Sequence, residues 1–154
     1  EYREAMIKGF KQLPIGAQIE DLRSQITAQA CKTALTLASS LGDSFSPFME
    51  LWLPSLLSLS ISGVRLMSLQ GHNSVKRMMN CAHNGYHPRV LTTLSTQASK
   101  SKAHPMQQRA CVAGLAVACR GWRGAGVERA AGSVEAAVKK AAAAKDPSVR
   151  EEAR

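Results

Sequence analysis

The chain lacks any long apolar run. Its richest stretch, Leu51 to Ile61, is interrupted by Pro54 and several serines, short of the roughly 18 apolar residues that mark a membrane-crossing helix. Aromatic residues make up only 5% of the 154 residues, and β-branched ones are sparse beside Ala and Leu, which disfavours an all-β fold and favours helices. Paired cysteine motifs are missing too. Cys31, Cys81, Cys111 and Cys119 form no CxxC and lie in apolar periodic segments, where a free thiol acts as a small hydrophobe; a reducing, cytosolic compartment is the simplest expectation. Acidic residues are few: 11 Asp+Glu face 20 Lys+Arg, leaving a net charge of +9. At 45% hydrophobic, the chain is long enough to bury the core of one modest soluble unit, and its positive excess asks for an acidic partner. It opens Glu1-Tyr2-Arg3, without Met or a leader, and stops in a strongly helical stretch, so it reads as a piece of a longer protein.

Catalytic motifs are equally scarce. There is no GxSxG, GxxxxGK[ST] or HExxH, and Gly121, Gly124 and Gly126 do not follow a strand as a dinucleotide loop requires. Cys81, His83 and His87 invite a metal reading, but no second ligand pair follows. A buried Cys beside surface histidines accounts for them, and no cofactor or enzymatic activity is expected.

What is present is a repeat. Helical periodicity predicts segments over 2–12, 22–40, 45–59, 65–82, 88–99, 105–120 and 127–144, with another starting at 147. They alternate as first and second members of hairpins. The openings Asp21-Leu22-Arg23-Ser24, Gly63-Val64-Arg65-Leu66 and Pro147-Ser148-Val149-Arg150 recur at the period of two-helix units, roughly 40 to 47 residues, and Arg109 fills the slot between the last two. Apolar faces follow the arginines at spacings of three and four: Ile26, Ala30, Thr33 and Leu37, then Cys111, Leu115 and Ala118. Such units bury their faces only by stacking, so the fold expected is all-α: an α-solenoid of HEAT repeats spanning 1–154, with units near 1–41, 43–83, 86–121 and 125–154. His87-Pro88, His104-Pro105 and Asp146-Pro147 mark helix starts, with Ser148 and Glu151 as an alternative capping box. Pro54 is expected to kink its helix, and Val134, Val138 and Ala142 to stripe the Ala-rich one. Trp52 and Trp122 are assigned to the core.

In a stacked array the loops joining first and second helices share one edge. Arg23, Arg65, Arg109 and Arg150 are predicted to form a row there, reinforced by Lys100, Lys102 and Lys145. Cations near helix N-termini oppose the macrodipole by a few tenths to about 1 kcal/mol, so local stability does not select them. Leu22, Val64 and Val149 precede three of the arginines, either as apolar–Arg contacts for a partner or as staples of the hairpins. No aromatic residue interleaves with this row, which argues against single-stranded nucleic acid.

The stretch Ile19-Glu20-Asp21-Leu22-Arg23-Ser24-Gln25-Ile26, with Ala30-Cys31, resembles the second HEAT repeat of the TOG domains of CLASP proteins. Val64 to Ser68, Gly71, Val75-Lys76-Arg77, His87 to Leu91, Ser99-Lys100-Ser101, Arg109-Ala110-Cys111, Trp122 and Asp146 to Arg154 are similar, in the same order, to the later repeats of that family, and the ciliary crescerin proteins share much of the pattern. The resemblance implies a microtubule regulator of the cytoskeleton or cilium: a flat paddle whose intra-HEAT loops bind the acidic αβ-tubulin heterodimer, with no membrane or nucleic acid as partner. It also implies tubulin contacts from Leu22 and Arg23 in the second loop, Arg65 in the third, Lys100, Lys102 and Arg109 in the fourth and Arg150 in the fifth. The first repeat and the end of the last helix are expected to lie outside this chain, and the loop Ser101 to Met106 to be longer than the family's. The alternatives are a generic HEAT or armadillo scaffold that holds an acidic peptide on its helical face, and a nucleic-acid-binding repeat.

Overall fold

A computed structural model describes residues 2–154, without the side chains of Tyr2, Arg3 and Met6; the Glu1 end of the first predicted unit lies outside the described residues. The described residues contain α-helices and a 3-10 turn but no strand. In order they are α1 (Tyr2–Lys11), α2 (Ile15–Ile19), α3 (Ser24–Leu41), α4 (Ser46–Leu59), α5 (Arg65–Met79), α6 (Pro88–Ser99), α7 (Pro105–Gly121), α8 (Ala125–Ala142) and α9 (Pro147–Glu152), with the 3-10 turn at Gly42–Phe45. Contacts run α2 to α4 to α6 to α8 in one layer and α3 to α5 to α7 to α9 in the other; α2–α3, α4–α5, α6–α7 and α8–α9 are hairpins across the layers, and α7 also touches α4 and α8. This is the two-layer α-solenoid that the periodicity predicts.

The short helix α2 is absent from the sequence reading, which treats 2–12 as the first hairpin's leading helix. Pro14 separates α1 from α2, and Ile15 and Ile19, four apart, bury a single stripe. It is therefore α2 that packs on α3 and α4. On α3 the buried stripe is Thr27, Ala30, Cys31, Ala34 and Ala38, so the expected face of Ile26, Ala30, Thr33 and Leu37 is rotated by about one residue. The small residues Ala30, Ala34 and Ala38 are buried where α3 packs between its neighbours, and Ile26, Thr33 and Leu37 are half-buried. In α8 the stripe is Ala130, Val134, Ala137 and Ala141; Val138 is half-buried and Ala142 exposed. α4 runs as one element through Pro54, which lies on its exposed side.

Three helix starts follow the proline signals. Pro88, Pro105 and Pro147 take the first helical position, where a missing N–H costs nothing. The preceding side chains accept a backbone N–H two residues on: His87 Nδ1 from Arg89 (3.3 Å), His104 Nδ1 from Met106 (3.2 Å), and Asp146 Oδ1 from Ser148 (2.9 Å). Asp146 rather than Ser148 is thus the cap. α3 ends at Gly42, whose φ of 53° lies in the positive region that glycine enters without a side-chain clash.

The few aromatic rings are concentrated in the core. Phe10 packs edge-on against Phe48, Phe48 and Phe45 meet Trp52 at 5.3 and 5.7 Å, Phe45 leads to Tyr86 at 6.1 Å, and Tyr86 to Trp122 at 5.4 Å. Trp52 and Trp122 are buried, as expected. The polar ends of the last two rings serve α5: the Tyr86 hydroxyl donates to the Met78 carbonyl (2.6 Å) and Trp122 Nε1 to the Met79 carbonyl (3.0 Å). Burial pushes the Tyr86 phenol well above its ordinary range, so it stays a donor.

Helix approach distances make two glycines diagnostic. A Cβ on Gly71 would stand 2.6 Å from the Ser60 nitrogen and 2.9 Å from the Leu56 carbonyl oxygen, whereas one on Gly132 would meet nothing within 4 Å. Gly71→Ala should lower stability by roughly 1–3 kcal/mol, because α4 backbone must give way. Gly132→Ala, in mid-helix, should raise it by about 0.5–1 kcal/mol. Urea midpoints of the two variants, moving in opposite directions, test both.

Candidate functional site

The two ends of the hairpins differ. The junctions between successive hairpins are internally satisfied. Asp43 accepts from the His83 and Asn84 backbone N–H groups (2.7 and 3.1 Å) and from Asn84 Nδ2 (2.8 Å), Ser46 Oγ accepts from His87 N (2.6 Å), and the His83 carbonyl accepts from Arg123 N (3.0 Å). Partial burial pulls the Asp43 carboxyl upward, but the donors from Asn84 and His83 outweigh it and hold the group below its ordinary value.

The loops within the hairpins, at 20–23, 60–64, 100–104 and 143–146, form the other edge. One helical position organises all of them. The fourth residue of each second helix reaches back to a carbonyl of the loop before it or of the preceding helix's end: Thr27 Oγ1 to Asp21 (2.8 Å), Ser68 Oγ to Ser60 (2.6 Å), Gln108 Nε2 to Lys100 (2.8 Å) and Ala98 (3.3 Å), and Arg150 Nη1 to Lys145 (2.6 Å) and Ala144 (2.8 Å). Each tie satisfies carbonyls left without partners where a helix ends.

That register corrects the arginine row. Arg23 caps α3, Arg65 opens α5, Arg109 is the fifth residue of α7, and Arg150 is the fourth of α9, so the four do not share one position. Arg23 and Arg65 are exposed on the edge. Arg109 is half-buried and turned onto α9, with Nε 3.1 Å from Glu152, whose carboxylate also lies 3.7 Å from Lys76 and 3.9 Å from His72. Arg150 is the tie of its own loop. Val149 is fully buried because it comes two positions after Pro147 and falls on the core stripe of α9, so it staples the hairpin and contacts no solvent. Lys100, Lys102 and Lys145 are exposed as predicted.

Of the aliphatics expected at the edge, Leu22 is 95% exposed and Val64 55%, and the edge gains two residues that the sequence reading left out, Leu66, 72% exposed, and Ile61, also exposed. Leu66 was legible: the buried stripe of α5 runs Met67, Ser68, Gly71, His72, Ser74, Val75, Met78, Met79, and Leu66 falls off it at 100° per residue. Ile61 lies in a loop, where periodicity has nothing to say. It lines a groove of 570 Å³ with Gln97, Lys100, Lys102, His104 and Lys140, joining the second loop to the third. A groove of 720 Å³, lined by Ala103, Lys140 and Lys145 among others, joins the third to the fourth.

The metal reading is not supported by geometry: among the described residues no group of three or more His, Cys, Asp or Glu is placed to hold an ion. Cys81 is half-buried, with its thiol 3.3 Å from the Arg77 carbonyl. His87 Nδ1 accepts from the Arg89 backbone N–H and lies 3.1 Å from a Glu50 carboxylate oxygen. Cys31 and Cys111 are buried, while Cys119 is exposed, a departure from the core role expected of it. Among the described residues no helix is long and apolar enough to cross a membrane.

Arg23 is held in a fork. Asp21 Oδ1 accepts from Arg23 N (2.7 Å) and Nε (3.0 Å), and Oδ2 accepts from Nη2 (2.9 Å). The guanidinium first, then the backbone N–H, lower the Asp21 carboxyl to about 2. A carboxylate depressed by folding favours the native hairpin above its ordinary pKa, near 4, and loses that contribution as pH falls towards 2. A carboxyl-detected NMR titration should place the Asp21 midpoint near 2, and Arg23→Ala should return it towards the ordinary range.

The geometry has its counterpart in a comparison with known families. The family model described as CLASP N terminal matches residues 1–154. A two-layer helical array carrying an exposed, basic and apolar loop edge, matched over its whole length, places this chain in the CLASP N-terminal family.

Proposed function

We propose that the chain is a tubulin-binding module of the TOG type, which engages the αβ-tubulin heterodimer through Leu22, Arg23, Ile61, Val64, Arg65, Leu66, Lys100 and Lys102. Membership of the CLASP family connects the chain with microtubules and the cytoskeleton, and the module acts by binding, not by catalysis. The observation that carries the reading is the composition of the edge. Leu22, Ile61, Val64 and Leu66, four of the six large hydrophobics exposed among the described residues, sit on two adjacent loops and the helix start beside them. Beside them Arg65, Lys100 and Lys102 make no ion pair among the described residues. An apolar patch ringed by cations suits an acidic protein surface, where aliphatic anchors supply affinity and charges supply encounter rate and register.

Work on microtubules then comes from differential affinity. A module that binds one curvature or lattice state of tubulin better than another shifts assembly by that difference. Arg109, Val149 and Arg150 have structural roles in this reading and are not part of the contact.

Charge reversal at Arg65, Lys100 and Lys102 should abolish co-elution with αβ-tubulin on a sizing column at low salt, with the helical circular dichroism unchanged. Leu66→Ser should weaken it about tenfold, a loss of about 1.4 kcal/mol. Arg150→Ala should instead lower the melting temperature and spare binding. Unaltered co-elution of the triple variant would overturn the loop-edge site, and no co-elution of the parent at any salt would leave a HEAT scaffold that does not bind tubulin directly.

A further inference from the structure

Within the second layer the carboxylates are confined to α9, which carries Glu151 and Glu152. None of the 11 Asp+Glu lies on α3, α5 or α7, whereas those helices carry Lys32, Arg65, Lys76, Arg77, Arg109 and Arg120. Beyond the loop edge, these side chains surround a second feature. Two grooves of 560 and 720 Å³ run across the outer surface of α3, α5 and α7 and share Leu35, Ser39, Lys76 and Arg77 as lining. Leu35 and Val117 form a half-buried apolar floor, and Lys32, Lys76, Arg77 and Arg120 are exposed around it. Lys76 is engaged by Glu152; Lys32, Arg77 and Arg120 make no ion pair among the described residues.

Helix electrostatics does not account for this pattern. Cations in the last turn of α5 and α7 complement the macrodipole, but the same logic would put carboxylates in the first turns of α3, α5 and α7, and there are none. Lys32, mid-helix in α3, gains nothing from the dipole. A face cleared of negative charge, with an apolar floor, is complementary to an anionic ligand that also has apolar side chains.

We propose that the α3–α5–α7 groove is a second docking site, which takes an acidic, leucine-bearing peptide segment of a protein partner. Arg77 and Arg120 flank the acidic residues, and Leu35 and Val117 receive the aliphatic ones. A nucleic acid fits less well, since no aromatic ring lines the groove for a base to stack on and the floor is aliphatic. The site lies at the opposite end of the second-layer helices from the loop edge: twelve residues separate Arg65 from Arg77, roughly 18 Å at the helical rise. It does not rest on tubulin binding.

The test uses fluorescence anisotropy of the 154-residue chain with a fluorescein-labelled peptide of glutamates carrying leucine at every fourth position. The same peptide with serine for leucine, and polyuridylate of equal length, serve as comparisons. The leucine peptide should bind at low salt and lose about tenfold in affinity on leucine-to-serine exchange and about tenfold on Arg77→Glu with Arg120→Glu. Charge reversal at Arg65 and Lys102 should leave it unchanged, which separates this site from the loop edge. If the double reversal fails to melt cooperatively, Arg77→Gln with Arg120→Gln decides, with a loss of threefold or more expected. Absence of binding at low salt, equal affinity for the variants, or tighter binding of polyuridylate than of the leucine peptide would each overturn the proposal.

Discussion

The whole array depends on how the C-terminal carbonyls of α5 are satisfied. Met78 and Met79 lie at the buried centre of the molecule, where a carbonyl without a partner costs about 1–3 kcal/mol. The Met79 carbonyl accepts from Trp122, between the third and fourth hairpins, and the Met78 carbonyl, already bonded to the Cys81 backbone N–H (3.1 Å), gains Tyr86, between the second and third. One hydrogen bond across 43 residues and one across eight, carried on rings that also pack edge to face, thereby link three hairpins. Gly85, with φ of 99°, sits against Trp122. A side chain there would have to displace the indole, so the turn and the ring are one unit.

This fastening makes the two edges unlike each other. At the inter-hairpin edge Asp43, Ser46 and the aromatic hydroxyl and indole consume the polar groups of neighbouring loops, and little is left over for a partner. At the intra-hairpin edge the ties from Thr27, Ser68, Gln108 and Arg150 are local, each loop being secured by its own second helix. The loop tips are consequently free to carry residues that contribute nothing to folding, such as Leu22 and Leu66. Exposed aliphatics of this size, gathered on adjacent loops, are characteristic of interaction surfaces.

Charge is unevenly placed as well. Outside α3, α5 and α7 the carboxylates are spread over both layers and the loops, many of them engaged in caps or pairs, as with Asp21, Asp43, Glu135 and Asp146. Across α3, α5 and α7 the single neutralising group is Glu152, delivered by α9 to Lys76 and Arg109. The positive excess is therefore strongest on α3, α5 and α7, which carry six Lys and Arg and no Asp or Glu, where it can act on an acidic partner at short range.

The alternation of helical segments, the proline-marked starts at 88, 105 and 147 and the hairpin period were determined by the sequence alone, because each rests on interactions within a few residues: caps, fixed φ and one-sided apolar stripes. The exposure of Leu22, Arg23, Val64, Arg65, Lys100 and Lys102 was legible for the same reason. Which arginine faces solvent was not. Arg109 and Arg150 fit the repeat by count, yet a shift of four or five positions along a helix changes both depth and direction, and only the packing of α9 on α7 decides that Glu152 claims one and a loop carbonyl the other. Val149 likewise becomes core only because α9 has a layer to close against. The groove on α3, α5 and α7 is wholly tertiary: its walls come from three helices far apart in sequence, and stacking, which no local pattern encodes, is what sets them side by side.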